Sequence, residues 1–473
     1  MRILLLALLA TLSLPASAQP SASWSAKPWL DDLTAIRAAL DSKYANRDWL
    51  AQVRQIDLDA VTTAAAARIA TAGSDAEARR IIDQMLSRFH DGHVEVEWPP
   101  TFAPTAAAKE APSAPTSICG SLGFEAHPNR PIGPALPGHV ALADDGVFPA
   151  GTFALAGSKV GILRINEFQP NGAPALCAAA EKALVIADDA PCEDACQDRL
   201  MAAIYDDFTR RFAARLVALR AAGANALMID LTNNGGGSEW AEAAARMVSA
   251  MPLTSERLGF VRGAHWVKHW HDLAEELTGH LAKASAADKA ALSQWIATAK
   301  AAEREAGTAC AFGSGCTWLG RAGFVTGLVG AAPAGALKGK PWGPSIFSPA
   351  QYDYADGVWS GPLIILVNDE TWSAAEEFAA MLQDSHAALI VGARTGGAGC
   401  GHTDGGTPTT LPNSDGVLAL PDCARLRPDG SNEISGVIPD VLVPWRYYDS
   451  PARAAALLMT VLPQAIERAI SLR

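Results

Sequence analysis

The chain has 473 residues and a formal net charge of −12 at pH 7. This length exceeds what one ordinary core needs and indicates a large domain with a smaller one attached. Acidic residues outnumber lysine and arginine by 50 to 38, and no basic cluster occurs anywhere, which excludes nucleic acid as a partner and makes anionic lipid a poor one.

The first residues, MRILLLALLATLSLPASAQP, place one arginine before a short apolar run that ends in Ala16-Ser17-Ala18. This pattern is typical of an export signal peptide cut after Ala18. The apolar run is shorter than the roughly 20 residues that a membrane-spanning helix needs. We therefore expect residues 1–18 to be removed and the mature protein to be periplasmic or secreted, without a stable membrane span.

Residues 19–98 are predicted to form a small N-terminal helical unit. Apolar residues recur at helical spacing within it, as in LDDLTAIRAAL and ARRIIDQMLSRF. Residues 99–158 are rich in proline, alanine and glycine, which predicts an irregular linker segment.

Residues 159–473 are predicted to form an α/β core. The apolar segments KVGILRI, ALMIDL, GPLIILVN and ALIVGA alternate with amphipathic helices, which indicates a sheet covered on both faces. The strand signal disappears between about 255 and 345, so this stretch is predicted to be an insertion that forms a lid. Its histidines, His265, His269 and His271, stand near tryptophans and are predicted to pack in the lid rather than bind metal.

Eight cysteines form an even set in a chain that is predicted to be exported. Their spacing lacks the paired Cx2C motifs of a structural zinc site. Short loops favour the pairs Cys310 with Cys316 and Cys400 with Cys423, then Cys192 with Cys196, and leave Cys119 with Cys177. Buried free thiols remain the alternative for some of them.

Ser373 directly follows the apolar strand GPLIILVN and begins an amphipathic helix, SAAEEFAAMLQDS. Amides and the macrodipole at a helix start favour developing negative charge, as a nucleophile requires. The alternative is an ordinary N-cap serine, because Glu376 three residues later completes a capping box.

A glycine loop follows the strand ALMIDL, in the run Asn233-Asn234-Gly235-Gly236-Gly237. Successive glycines let backbone amides point outward without side-chain obstruction, so the loop can donate to an oxyanion. A tight turn or a phosphate loop is the alternative, although the Lys-Ser/Thr pair of a Walker motif is missing.

Taken in order, five segments resemble the tail-specific (C-terminal-processing) serine peptidase family and its tricorn-core and retinoid-binding relatives. They are Asp91-Gly92-His93, KVGILRINEF, IDLTNNGGG, the block NDETWSAAEEFAAMLQDSHAALIVGARTGGAG, and GVIPDVLV. The resemblance implies a crotonase-like (ClpP/crotonase) core, a nucleophile at Ser373, and an oxyanion site made by the Gly235/Gly236 loop with the amide of Ala374. It also implies a protein or peptide substrate and no metal or organic cofactor.

The catalytic base departs from the best-known pattern of that family. The processing members use a lysine at the position where this chain has Ala398, and the last lysine of the chain is Lys340. A serine nucleophile needs a base, and tricorn-like members use a histidine and a glutamate whose matching residues here are His93 and Glu433. Whether Glu433 contacts His93 directly, through water or through another hydroxyl stays open, and His90 and His402 are alternative bases.

We therefore expect an exported serine endopeptidase or carboxy-terminal-processing peptidase. A full PDZ domain does not fit in residues 94–158, which argues against carboxy-terminal recognition. The alternative is a catalytically inactive peptide- or lipid-binding relative of the same fold.

Two other enzyme classes fit the sequence less well. An α/β-hydrolase esterase would need glycines around the serine, where this chain has Trp372 and Ala374. A crotonase-type acyl-CoA enzyme would lack the signal peptide and the cysteines.

Overall fold

The computed structural model describes residues 24–100, 117–186, 192–401 and 408–472. The predicted signal peptide, residues 1–18, and His402 lie outside these ranges. Among the helices that the structure describes, none is both long and apolar enough to cross a membrane.

The helices are α1 (Lys27–Lys43), α2 (Arg47–Gln52), α3 (Leu58–Ala70), α4 (Asp75–Ser87), α5 (Ile118–Ser121), α6 (Pro174–Leu184), α7 (Asp194–Ala221), α8 (Trp240–Met247), α9 (Ala264–Leu281), α10 (Ala286–Ala306), α11 (Gly343–Ile346), α12 (Ala374–Asp384), α13 (Pro451–Met459) and α14 (Leu462–Ser471). The strands are β1 (Glu95–Glu97), β2 (Val140–Ala141), β3 (Ala150–Leu155), β4 (Ser158–Arg164), β5 (Ala226–Asp230), β6 (Arg257–Val261), β7 (Leu319–Phe324), β8 (Leu363–Val367), β9 (Leu389–Gly392), β10 (Thr409–Thr410), β11 (Val417–Ala419), β12 (Cys423–Leu426) and β13 (Val441–Leu442).

A seven-stranded sheet in the order β13-β9-β8-β5-β4-β3-β2 forms the centre of the molecule. The strands from β13 to β4 run parallel, and the β3 and β2 edge is antiparallel. Side chains alternate between the two faces of a strand, so Ile365 packs under α7, α8 and α12 while Ile364 and Leu366 pack under α13 and α14. The predicted α/β fold class is confirmed.

The core begins earlier in the chain than the sequence predicted. Residues 150–155 were assigned to the linker, but they form β3, which pairs along its length with β4. The two strands are joined by Ala156 and Gly157, both with positive φ (51° and 75°), as a two-residue type I′ hairpin requires. The pattern AGTFAL lacks the continuous hydrophobicity of a central strand because β3 lies near the sheet edge.

The insertion at 255–345 contains two strands that the sequence did not predict. β6 pairs with β7 and with β12 in an antiparallel three-stranded sheet, and α9 packs against α10 beside it. Gly320 in β7 lies so close to Phe260 in β6 that a Cβ there would come within 2.5 Å of the ring. Such glycine-rich strands carry little local strand propensity, so tertiary pairing decides their conformation.

The N-terminal helices α1 to α4 enclose their own apolar core, which extends onto β10–β11 residues such as Leu411 and Leu418. β1 pairs with β11, and Asn432 Nδ2 donates to Asn46 Oδ1 at 2.8 Å. The helical unit is therefore joined to the C-terminal part of the core by a shared sheet, by side-chain hydrogen bonds and by apolar packing.

All eight cysteines form disulfides, in the pairs Cys119–Cys177, Cys192–Cys196, Cys310–Cys316 and Cys400–Cys423. These are the pairs that the short-loop argument favoured, with Cys119–Cys177 as the remaining one. The predicted pairing is confirmed, and no free cysteine remains among the eight.

The disulfide between Cys400 and Cys423 closes a loop of 23 residues. By the chain-entropy account a loop of this size contributes roughly 3 kcal/mol. We expect Cys400→Ala/Cys423→Ala to lower the free energy of unfolding by about this amount in denaturant titrations. The matched control, Cys192→Ala/Cys196→Ala, opens a loop of 4 residues and should cost less. Recovery of Cys400 and Cys423 as alkylated thiols from a non-reduced digest of the wild type would refute the pairing.

Candidate active site

The site lies at the carboxyl ends of three neighbouring parallel strands, where open α/β sheets place their functional loops. β5 leads into the glycine loop, β8 into the segment that ends at Ser373, and β9 into the loop of residues 393–401. Because these strands are adjacent in the order β9-β8-β5, segments far apart in the sequence come together at one edge.

Ser373 precedes α12 in an unusual backbone conformation, with φ 53° and ψ −120°. An ordinary N-cap residue has extended dihedrals, and a positive φ is uncommon outside glycine. Such strained residues concentrate at functional sites because the surrounding structure must hold them in place. Ser373 is also half-buried. A simple helix cap does not require a serine in this conformation.

The glycine loop packs directly against the serine. A Cβ on Gly236 would lie 2.8 Å from Ser373 Cβ and 3.0 Å from Ala374 N, and the residue has φ 103°. Both the conformation and the space therefore demand glycine at this position. The Trp372 amide donates to Asn234 O at 2.9 Å, which fixes the loop to the segment before the nucleophile.

The structure changes the role of one predicted oxyanion residue. The amide of Gly236 donates to the Asn234 side chain at 2.9 Å, so it is already engaged. Within the described residues, the amides of Gly235 and Ala374 have no hydrogen-bond acceptor. The Asn234 Oδ1 atom captures the Gly236 amide in this conformation, where Gly236 serves by its small size, and its role as an oxyanion donor stays a prediction.

The loop Asp91-Gly92-His93 of the helical unit approaches Trp372, the residue before Ser373. Buried Asp91 accepts hydrogen bonds from Tyr44 Oη (2.8 Å), Asn46 Nδ2 (2.9 Å) and the His93 amide (3.0 Å). A Cβ on Gly92 would come within 2.4 Å of the Trp372 ring, so this loop touches the residue before Ser373.

The exposed alternative base, His90, lies three residues upstream of His93, before the loop turns toward the site.

The His93 ring is anchored on the loop after β9, at Ala398. His93 Nδ1 lies 2.7 Å from the carbonyl oxygen of Ala398. A carbonyl only accepts hydrogen bonds, so Nδ1 is the protonated nitrogen in this contact. In the neutral ring Nε2 is then the unprotonated nitrogen, which is the form that a general base needs.

Glu376, on the first turn of α12, ties Ser373 to the loop of residues 393–401, whose Ala398 carbonyl contacts His93. Its buried carboxylate accepts from Ser373 N (3.0 Å), Gly397 N (2.8 Å), Ala398 N (2.8 Å) and Thr395 Oγ1 (2.5 Å). Burial, followed by the charge of Glu433, raises its pKa to about 7. The sequence marked Glu376 only as half of a capping box; its contacts with residues about 20 positions later had no local signal.

Within the described residues, Glu433 pairs with Arg425 and makes no direct hydrogen bond to His93, so a route through water or another hydroxyl stays a prediction. Its Oε1 lies 3.2 Å from Arg425 Nη1, and its Oε2 has no hydrogen-bond partner within the described residues. Arg425 Nη1 also donates to the carbonyl of Ser373 at 3.0 Å. Arg425, which no local sequence pattern marks, is buried and pairs with Glu433, so it links this carboxylate to the backbone of Ser373.

Further carboxyl groups surround Arg425. Glu377 Oε2 lies 3.2 Å from Arg425 Nη2, and burial raises the pKa of Glu377 and of Glu256 well above the usual value. The adjacent negative charge of Glu433 raises the pKa of Glu256 further. The raised pKa values reflect the burial of a cluster that contains more acids than arginines.

The raised pKa of Glu376 makes stability depend on pH. Because the folded-state pKa of about 7 exceeds the ordinary 4.5, the stabilisation is complete below about pH 4.5 and is lost as the pH rises through 7. Between about pH 5 and 8, wild type should lose up to about 3 kcal/mol of unfolding free energy relative to Glu376→Gln. Urea titrations at both pH values measure this difference. The exposed-site control Glu275→Gln should follow wild type, and parallel losses in wild type and Glu376→Gln would contradict the assignment.

Comparisons with known proteins agree with this fold. The structure of mature CPAF is similar with a TM-score of 0.60 and 17% identity, covering 94% of this chain and 98% of that one. Mature CPAF complexed with lactacystin gives a TM-score of 0.59 and 16% identity over 95% and 99%. At these identities the likeness shows a shared fold. No curated protein sequence matches the chain.

The sequence profile of peptidase family S41 matches residues 159–443. This range contains the glycine loop, Ser373, Ala398 and Glu433, and it leaves His93 outside. Since the match spans more than half of the 473 residues, this chain belongs to peptidase family S41 and is a serine-type peptidase.

Proposed function

We propose that this protein is an exported serine endopeptidase in which Ser373 forms the acyl-enzyme and His93 is the general base. The observation that carries the proposal is the hydrogen bond from His93 Nδ1 to the carbonyl of Ala398. It gives the ring the tautomer of a base, and it does so at the position of the lysine that the processing members use.

In the first step, His93 Nε2 takes the hydroxyl proton of Ser373 as Oγ attacks the carbonyl carbon of a peptide bond. The Ala398 carbonyl stays bonded to Nδ1–H and stabilises the imidazolium that forms. A backbone carbonyl thus fills the orienting role that the resemblance implies for Glu433. A serine catalyst becomes far slower when it loses the group that orients its histidine.

The tetrahedral intermediate places negative charge on the former carbonyl oxygen. The amides of Gly235 and Ala374 are the two donors available beside Ser373, and Ala374 N also lies at the N-terminus of α12. Preorganised donors of this kind supply a large part of peptidase rate enhancement. Imidazolium then protonates the leaving amine, and water releases the acyl group by the reverse proton transfers.

Internal cleavage is favoured over carboxy-terminal processing. Only residues 94–149 separate His93 from β3, and part of that stretch forms β1, α5 and β2. Too little chain is left for a complete PDZ domain to bind a free carboxylate. An endopeptidase should cleave carboxy-amidated and free-acid versions of one peptide at similar rates.

Export is supported by the signal-peptide pattern at residues 1–18 and by the four disulfides, which form in oxidising compartments.

A catalytically inactive binding relative is the second candidate from the sequence. The positive φ of Ser373 and the anchored His93 ring support the enzyme instead, because a binding protein has no need to hold a strained serine.

We expect Ser373→Ala to abolish both labelling by a fluorophosphonate probe and peptide hydrolysis, because no other hydroxyl occupies the strained position before α12. The melting temperature should stay close to that of wild type. The matched control is Ser385→Ala at the other end of the same helix, which should keep full labelling. Undiminished labelling of Ser373→Ala would refute the nucleophile.

We expect His93→Ala to lower turnover about 100- to 1,000-fold, because the serine loses its base. Imidazole added to the assay should restore part of this activity, an effect that loss of a purely structural histidine would not show. His90→Ala and His402→Ala serve as controls and should retain near-native turnover. Near-native turnover of His93→Ala would move the base to another residue.

A further inference from the structure

A cavity of about 480 Å³ lies between the insertion and the peptidase core. α9, β6 and β7 line it on the insertion side, and Glu377, Cys400 and Arg425 line it on the core side. Arg425 also donates to the carbonyl of Ser373 at 3.0 Å. The Arg425 side chain therefore connects the cavity wall to the backbone of Ser373.

One part of the cavity wall is apolar. It is formed by Leu258, Trp266, Trp270 and Phe324. The Trp270 side chain is 1% exposed, and its Nε1–H has no hydrogen-bond acceptor within the described residues. Buried donors normally have a partner. A bound peptide, which carries one carbonyl per residue, is the kind of ligand that supplies such an acceptor.

Another part of the wall is acidic. Asp272 and Glu276 line the cavity from one face of α9, four residues apart, and Glu239 lines it just after the glycine loop. Asp272 pairs with Lys268. Glu239 and Glu276 have no cationic partner in the part of the chain that the structure describes, although Ser345 Oγ donates to Glu276.

The wall also contains two basic side chains, Arg425 and His269, and the arginine does not cancel this charge. Arg425 lies 3.2 Å from both the Glu377 and the Glu433 carboxylates, which occupy its guanidinium group. Arg257 lies over the Phe324 ring, 4.1 Å from its centroid, and is exposed at the start of β6. The carboxylates of Glu239 and Glu276 are thus left to attract a cation from outside.

We propose that this cavity is a subsite for a lysine or arginine side chain of the substrate polypeptide. The inference rests on the proposed peptidase function and adds the class of residue that the enzyme selects. Lysine and arginine combine an apolar stem with a cationic end, which matches an apolar wall with an acidic edge. Aromatic rings in the wall also attract cations. An acidic substrate side chain would be repelled by Glu239 and Glu276.

The test uses a set of peptides in which one lysine is moved through every position around a cleavable bond. A second set carries norleucine, which keeps the stem and removes the charge. At one position, kcat/KM of wild type should be about tenfold higher for lysine than for norleucine, as several partly exposed ion pairs together allow. The double variant Glu239→Gln/Glu276→Gln should bring this ratio close to one.

The matched control is Glu275→Gln, which removes the same charge from an exposed neighbour on α9 that does not line the cavity. It should keep the wild-type ratio. Equal loss of the ratio in Glu275→Gln and the double variant would overturn the subsite, because net charge alone would then explain the preference.

A binding measurement separates this inference from the proposed function. Ser373→Ala should bind the preferred lysine peptide about tenfold more tightly than the norleucine peptide, as read by tryptophan fluorescence. The double change at Glu239 and Glu276, added to Ser373→Ala, should remove that difference. Cleavage that depends on Ser373 without lysine preference in either assay overturns the subsite and leaves the peptidase standing. Lysine-selective binding without any cleavage overturns the endopeptidase and leaves the subsite standing.

Discussion

The carboxylate of Glu376 is the contact on which the proposed active site depends. It accepts the amide of Ser373 from its own helix and the amides of Gly397 and Ala398 from the loop after β9. A buried carboxylate satisfied by several donors holds those donors in one geometry, because releasing any of them leaves a buried polar group unpaired. The nucleophile and the carbonyl that anchors His93 are therefore parts of one rigid unit.

The histidine reaches that unit only because the helical unit is docked onto the core. β1 follows the Asp91-Gly92-His93 loop and pairs with β11, and Gly92 approaches the Trp372 ring so closely that no side chain fits. The proposed mechanism draws residues from both units and therefore requires their interface to be intact. Changes that loosen the β1–β11 pairing would lower activity without touching any residue that contacts substrate.

Buried charge links the nucleophile to the proposed subsite. Arg425 contacts the Ser373 carbonyl, pairs with Glu377 and Glu433, and forms part of the cavity wall. Breaking a buried ion pair usually costs more than its attraction contributes, because a charge is left uncompensated. The same arginine therefore constrains the backbone of the serine and leaves the other carboxylates, Glu239 and Glu276, available to a basic side chain.

The sequence by itself determined the features that local patterns encode. The buried parallel strands, the helix that begins after Ser373, the glycine loop and the short-loop disulfides follow from hydrophobic periodicity, glycine conformation and chain proximity. Other features depend on atoms far apart in the chain. The pairing of Glu433 with Arg425, the capture of the Gly236 amide by Asn234, and the strands β3, β6 and β7 were decided by the tertiary structure. Hydrogen-bond and ion-pair partners are chosen by three-dimensional distance and burial, and weak strands form only where a neighbouring strand supplies the missing hydrogen bonds.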